Sequence, residues 1–471
     1  MERIGTVEHV GTNGNPYTSG IAQFVSTLRY DSIPPEVLQR IKLLILDAFG
    51  CALYGADLPW ARILQKELRA IDDSRSCAVW GTQERLSAPH AALINGTEVQ
   101  GFELDDVHRA GVLHVGAVVL PTLVAITEIK PAISGRDFLA AAVAGYEIGP
   151  RVGLCMGSEH IAQGWHSGAT VGVFAAAAAG ARALMLDEKR TVHALGIAGT
   201  QAAGLMAAQY GSMVKRMHAG RSSQSGLYGA LFAQGGFTGI RDVLESPYGG
   251  FCTTFSRSND RFNLAELTSE LGKTWQTLQV ALKFYACVGC NHPPLDAIRE
   301  LREQRPFGAE EIDRIVVHAS QVTLDHAGWK YVPQGLTAAQ LNLSYSLATY
   351  LIEGDCFVDQ FTEDKVADPA RMALAEKVEV RHDPAITVRG RQFRHAVRVE
   401  VHLRDGTRLE RSVDAAFGSE DKFASDAEIL AKFEKLARRT LPPRQLRELR
   451  DAVMTLEALP DASAIAKLLA A

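Results

Sequence analysis

The stretch Val99–Ala125, VQGFELDDVHRAGVLHVGAVVLPTLVA, decides how this chain is read. Glu103, Asp105, Asp106, His108 and His114 crowd into its first half, and an uncharged helical run follows at once. The preceding AALINGTEVQGF predicts a helix that ends at the acidic cluster, and Val115 to Ile129 predicts a second helix starting just after His114. Three carboxylates beside two imidazoles can hold a metal, move protons or cap helix ends. The positive end of a helix disfavours an imidazolium and favours a neutral histidine or a bound anion. A neutral histidine there is suited to general-base work near pH 7.

Outward from this stretch, the 471 residues are enough for two or more domains with real cores. Apolar residues make up 47% and aromatics only 7%, so the core must rely on Ala, Leu, Val and Gly, which suits closely packed helices. The net charge of −5, from 49 basic and 54 acidic residues, is spread along the chain and argues against nucleic acid as a partner. Seven cysteines without framework spacing point to reduced thiols in a cytoplasmic setting. The N-terminus reads as a loose arm without the apolar core of a signal peptide or the Arg-rich character of a transit peptide. The longest uncharged run, Ile161 to Ala181, is too rich in Ala and Gly for a membrane span.

The expected fold class is mainly α: a large helical domain carrying a smaller α+β domain. Ser32-Ile33-Pro34-Pro35 is a strong helix start, and helical period then runs to Gly55. Helices are expected at Ile21–Thr27, Ala61–Ile71, Arg136–Val152, Ala169–Met185, Thr191–Met206 and Gln224–Gln234. The texture changes near residue 280. Arg314–Ala319, Lys377–Arg381, Phe393–Leu403 and Thr407–Val413 read as strands, the last two joined by an Asp405-Gly406 turn. Pro294–Glu303 and Leu341–Ile352 read as helices between them, and Phe423–Leu436 and Pro443–Leu456 return to helix. The expected units are 1–280 and 415–471 as one helical domain, with 281–414 as the α+β lid.

Four further stretches could carry chemistry. Gly164-Trp165-His166-Ser167-Gly168 puts a histidine before an Ala-rich helix, as at His114. Lys215-Arg216-Met217-His218-Ala219-Gly220-Arg221 is a basic knot in an apolar neighbourhood, read as a loop. It is either solvated or a site for an anionic substrate, with Lys215 lowered in pKa by cationic neighbours. Cys287-Val288-Gly289-Cys290-Asn291-His292 lacks the second ligand pair that structural zinc needs, so no metal is assigned and His292 is the simpler candidate. Tyr345 interrupts an amphipathic helix, where a tyrosine usually belongs to the core. No dinucleotide fingerprint, phosphate loop or nucleophile elbow is present.

Taken in order, these stretches resemble the MmgE/PrpD family, which includes 2-methylcitrate dehydratase, cis-aconitate decarboxylase and iminodisuccinate epimerase. Asp105-Asp106-Val107-His108 followed by His114-Val115-Gly116-Ala117 is similar to the family's DDTH…HPGA signature. Gly145-Tyr146-Glu147, Gly164-Trp165-His166, Lys215 to Gly220, and His292 with Asp296 add further matches. The resemblance implies a helical domain built from the N-terminal part and C-terminal tail, an α+β lid, a pocket between them, a homodimer and no metal or other cofactor. It puts pocket histidines at His114, His166 and His292, the pocket lysine at Lys215, and a pocket tyrosine at Tyr345. The acidic position falls on Glu103 where aspartate is usual, and the threonine position on Val107. Both departures weigh against cis-aconitate decarboxylation in particular.

The expected function is a cofactor-independent lyase that moves a proton next to a carboxylate of a small di- or tricarboxylate. Catalytic roles fall to His114, His166, Lys215 and His292. Glu103, Asp105, Asp106, His108, His218, Arg221 and Tyr345 are expected around the substrate, the carboxylates orienting the imidazoles. Dehydration is the first choice, with decarboxylation and epimerisation using the same parts. A non-enzymatic helical scaffold and a metal-dependent hydrolase are the rivals from other classes.

Overall fold

The two helices expected around the acidic stretch are Ala88–Val99 and Val115–Ile129 in the computed structural model, which describes residues 16–130, 132–157 and 159–471. The expected N-terminal arm lies largely outside the described residues, and the first described helix is Pro16–Thr27. Pro35 occupies the first turn of Pro35–Gly55, where its missing N–H costs nothing. Ser134 caps Gly135–Met156 by accepting from the Asp137 amide at 3.1 Å. Around these pack Gly172–Ala183, whose buried face is mostly Ala and Gly, and Glu188–Gly199 and Val214–Gln234, whose buried faces include several Ala and Gly residues.

Small residues let these axes approach closely. A Cβ on Gly220 would stand 1.9 Å from the Leu93 carbonyl oxygen, and one on Gly96 would stand 2.6 Å from Gly220 Cα. The helix carrying Lys215 is therefore seated backbone to backbone on the helix that leads into Glu103.

Beyond residue 280 a four-stranded sheet is built from β1 (Ile312–Ala319), β2 (Val378–His382), β3 (Val397–Leu403) and β4 (Arg408–Val413). The order is β2-β1-β3-β4, with β1 and β2 parallel and the other pairs antiparallel. Helices His292–Gln304 and Leu343–Glu353 pack with this sheet. One apolar cluster joins residues before 283 to Ile429, Phe433, Leu449 and Ile465 of the tail, and a second is built mainly from residues 285–413. We propose the unit boundaries at 281 and 414 on the support of these two clusters.

Several expected elements differ in extent. The expected Ala169–Met185 helix is two pieces, Ser167–Thr170 and Gly172–Ala183. The one expected at Thr191–Met206 runs from Glu188 and stops at Gly199. Asn342 divides the Leu341–Ile352 helix and caps its second part by accepting from the Tyr345 amide at 2.9 Å. The helix expected from Gln224 begins at Val214, so the basic knot is its first turns and not a loop. The strand expected from Phe393 begins only at Val397, where it pairs with Ala319 and Val413, the ends of its neighbours. Upstream, Arg391–Phe393 forms a tight turn and the Ala396 amide bonds to the Phe393 carbonyl at 2.8 Å. Arg394 and His395 consequently sit in a loop.

Candidate active site

Glu103 follows the short turn Gln100–Phe102 with φ of 55°, a left-handed backbone uncommon outside glycine. Val112, in the loop before His114, also has a positive φ, 52°, which is more strained for a β-branched residue. Such outliers concentrate at functional sites. The Glu103 carboxylate is buried and binds three cations. Lys215 Nζ and Arg216 Nη1 (2.6 Å) donate to Oε1, and Lys283 Nζ donates to Oε2 at 3.0 Å. Burial opposes the Glu103 charge, but Lys215, Lys283 and Arg216 prevail and hold its carboxyl well below the usual range. Burial lowers Lys215, with Glu103 opposing; at Lys283 burial is outweighed by Glu103 and Asp105, which raise it. Arg216 Nη2 donates to Gln340 Oε1 at 2.8 Å, and the Gln340 amide donates to the Phe102 and Ala286 carbonyls at 2.9 Å. One buried glutamine thus ties the cationic knot to both domains.

His114 Nδ1–H donates to Asp105 Oδ2 at 2.9 Å, which leaves Nε2 free to carry a proton to or from a ligand. His166 lies at the entrance of its helix, as expected, with its ring 4.8 Å from that of His218. Burial, then the charge of Lys215, drives His166 well below the ordinary histidine range and His218 down to about 4. Both are neutral at pH 7, and the Nδ1 of each is buried without a hydrogen-bond partner among the described residues. His166 also feels the charges of His114 and Glu103, so His114, His166, His218 and Lys215 share one neighbourhood. His292 comes from the lid side. It is buried, its Nε2–H directed at the Cys287 carbonyl at 3.3 Å, with its ring 5.2 Å from that of Tyr285.

Other expected site residues serve the scaffold. Asp106 accepts from the Gly116 amide at 2.9 Å and the Tyr146 hydroxyl at 2.7 Å; burial and the charge of Asp105 push it up to about 7. It pins the start of the Val115 helix and orients no imidazole. His108 is committed at both nitrogens, Nε2 to Gln276 Oε1 and Nδ1 to the Gly111 amide, each at 2.9 Å. Arg221 is exposed and bonds to Gln224. Six residues along a helix amount to about 240° of rotation from Lys215, which turns Arg221 away, whereas His218 stays on the same side. The Tyr345 hydroxyl donates to the Lys365 carbonyl at 2.8 Å, with its ring among Tyr331 and Phe361, in the lid core. Asp296 accepts from the Tyr285 hydroxyl and the Phe417 amide, and so holds the ring against which His292 packs.

The lid adds residues that no motif marked. His326, Arg394 and His395 gather beside His292: His395 feels Arg394, His326 and His292, and His326 feels Lys215, Arg394 and Glu103. Lys283 was likewise a lone lysine in the sequence. Cys287 lies beside Cys356 as well as His292, and among the described residues no three His, Cys, Asp or Glu side chains are grouped to hold a metal ion. No helix among the described residues is long and apolar enough to cross a membrane. A recess of about 640 Å³ at Leu154, Arg261 and Arg391 contains none of the site residues.

With this geometry in place, the comparisons with known proteins bear on family. The model of the MmgE/PrpD N-terminal domain matches residues 19–263, and that of the MmgE/PrpD C-terminal domain matches residues 285–458. A cis-aconitate decarboxylase-like protein of Aspergillus oryzae is 37% identical, covering 98% of this chain and 99% of its own. A cis-aconitate decarboxylase of Aspergillus terreus is 35% identical over 96% of this chain and 95% of its own, and one from Mus musculus is 26% identical over 96% and 93%. The two domain models, in order and spanning most of the sequence, establish that the chain belongs to the MmgE/PrpD family.

Proposed function

We propose that this lyase decarboxylates a small unsaturated tricarboxylate of the cis-aconitate type. The observation that carries the reading is the Asp105–His114 pair beside the buried Lys215, Arg216 and Lys283 cations. Three cations set against Glu103 and Asp105 leave one positive charge in excess, which a carboxylate substrate would balance. Loss of CO2 from the methylene carbon leaves an electron pair that forms a new double bond and shifts the old one. The developing charge then rests on the far carbon and its carboxylate, where Lys215 stabilises it. The protonated His114 delivers a proton from Nε2 to that carbon, and the product is methylenesuccinate. His166 and His218, neutral and each with an unpartnered nitrogen, suit hydrogen bonding to the substrate better than proton delivery.

Dehydration, the first choice from the sequence, gives way to decarboxylation because relatives matched over nearly their whole length are named cis-aconitate decarboxylase or, in one case, cis-aconitate decarboxylase-like. The Glu103 and Val107 departures do not outweigh that similarity. Glu103 serves the lysines and need not touch substrate.

The test is NMR in deuterated water with cis-aconitate, citrate, 2-methylcitrate and iminodisuccinate. Release of CO2 from cis-aconitate, with one deuterium in methylenesuccinate, is expected. Turnover of 2-methylcitrate to an alkene without CO2 would overturn the decarboxylase reading. We also propose that no metal takes part; activity should survive prolonged chelation, and loss restored by zinc would refute this.

A further inference from the structure

Arg394 and His395 form a cation–imidazole pair at the lid face that the mechanism above leaves unused. Arg394 Nε–H donates to His395 Nε2 at 3.2 Å. That bond fixes the tautomer: with Nε2 accepting, the proton of the neutral ring sits on Nδ1. His395 is 8% exposed, and its Nδ1 is buried without a hydrogen-bond partner among the described residues. It is therefore a buried N–H donor for which the described residues supply no acceptor. The Arg394 guanidinium has no ion-pair partner among the described residues either. The nearby Glu420 is taken by Arg109 through two bonds of 2.7 Å.

The pair is held in place. The Arg394 carbonyl accepts from Ser320 Oγ at 2.5 Å and from Thr323 Oγ1 at 3.0 Å. Ser320 caps the helix Gln321–Ala327, which carries His326. On the other side, a Cβ on Gly289 would stand 3.8 Å from His395 Cε1, so the ring lies over the segment leading to His292. A partly buried guanidinium gives up hydration without gaining a counter-charge, which is unfavourable. A carboxylate beside Arg394 would supply the missing counter-charge.

We infer that Arg394, held by His395, binds a second carboxylate of the substrate from the lid side, and so selects polycarboxylates over acids lacking that group. The inference rests on the carboxylate-lyase reading above. It divides the work: the helical domain handles the proton and the developing charge, and the lid reads how many carboxylates the substrate carries.

Calorimetric titration of the intact protein with saturated, unreactive acids tests this. The probes are propane-1,2,3-tricarboxylate and two dicarboxylates that each lack one of its carboxylates, pentanedioate and methylbutanedioate. Arg394→Met should weaken the tricarboxylate about tenfold or more. It should leave at least one dicarboxylate within about twofold, since that acid never used the site. Arg394→Lys should recover part of the loss. His395→Gln, which keeps a hydrogen-bond acceptor near the Nε2 position, should bind more tightly than His395→Phe. Thermal melting checks that each variant is folded. Equal binding by Arg394→Met and the unaltered protein overturns the inference, as does an equal loss for all three acids in folded Arg394→Met and Arg394→Lys. Failure of the unaltered protein to bind any of the acids would instead overturn the function reading on which it rests.

Discussion

Lys215 illustrates why a buried charge must be judged by its partners. Its loss would still leave Glu103 with Arg216 and Lys283, so the fold should survive while the positive charge at the site falls. Lys215→Met should lower kcat/KM on the order of a hundredfold or more, and Lys215→Arg should recover only part. Deuterium incorporation into methylenesuccinate should be slowed in Lys215→Met and abolished in His114→Gln. A normal rate in Lys215→Met would remove the lysine from the reaction. The buried histidines make a separate demand on pH. His108 and His160 are pushed down to about 4, in both cases by burial first, from an ordinary value of 6.5. Below pH 6.5 the unfolded chain takes up protons that the folded one refuses, so their stabilising contribution is full above 6.5 and drains away towards 4. Denaturant unfolding should show stability falling with pH across that window. His108→Gln should reduce the slope by about one proton, and an unchanged slope would mean that His108 titrates normally in the fold.

At the scale of elements, the contact between Gly220 and Leu93 sets two effects against each other. Alanine is favoured over glycine inside a helix by roughly 1 kcal/mol. Here the added methyl would lie 1.9 Å from a carbonyl oxygen, and backbone cannot move aside as a side chain can. Overpacking of this kind costs about 1–3 kcal/mol or more, so Gly220→Ala should lower the melting temperature and also impair catalysis by shifting Lys215. A rise in melting temperature would mean that the helices separate easily.

The elements also explain what could be read from the chain. The placement of His114 and His166 was legible because it depends on local order, a histidine just ahead of an apolar helix. The cationic knot was half legible: its residues stood out, but reading it as a loop hid the helical rotation that removes Arg221. Lys283 stood alone without a motif, and its bond to Glu103 spans a separation that no local pattern encodes. Arg394 and His395 were hidden differently. Their alternation with Val397, Val399 and Val401 imitates a strand, whereas strand pairing ends at Val397.

Across the whole molecule, the tail is joined to the site by Lys432. It donates to the Leu104 carbonyl at 2.7 Å and pairs with buried Asp47 at 2.6 Å. Removing one partner of a buried pair typically costs about 3–5 kcal/mol, and Lys432→Met should approach that loss in denaturant unfolding. It also releases the backbone between Glu103 and Asp105, so activity should decline before the protein unfolds. A stable and fully active variant would show that the tail merely covers the core. The seam bridged by Gln340 has a consequence for the history of such proteins. Because proton-handling side chains lie on one side of it and the lid loops on the other, each side can drift at its own pace. A descendant could acquire a new acid to work on through a few changes in one half while inheriting the chemistry of the other intact.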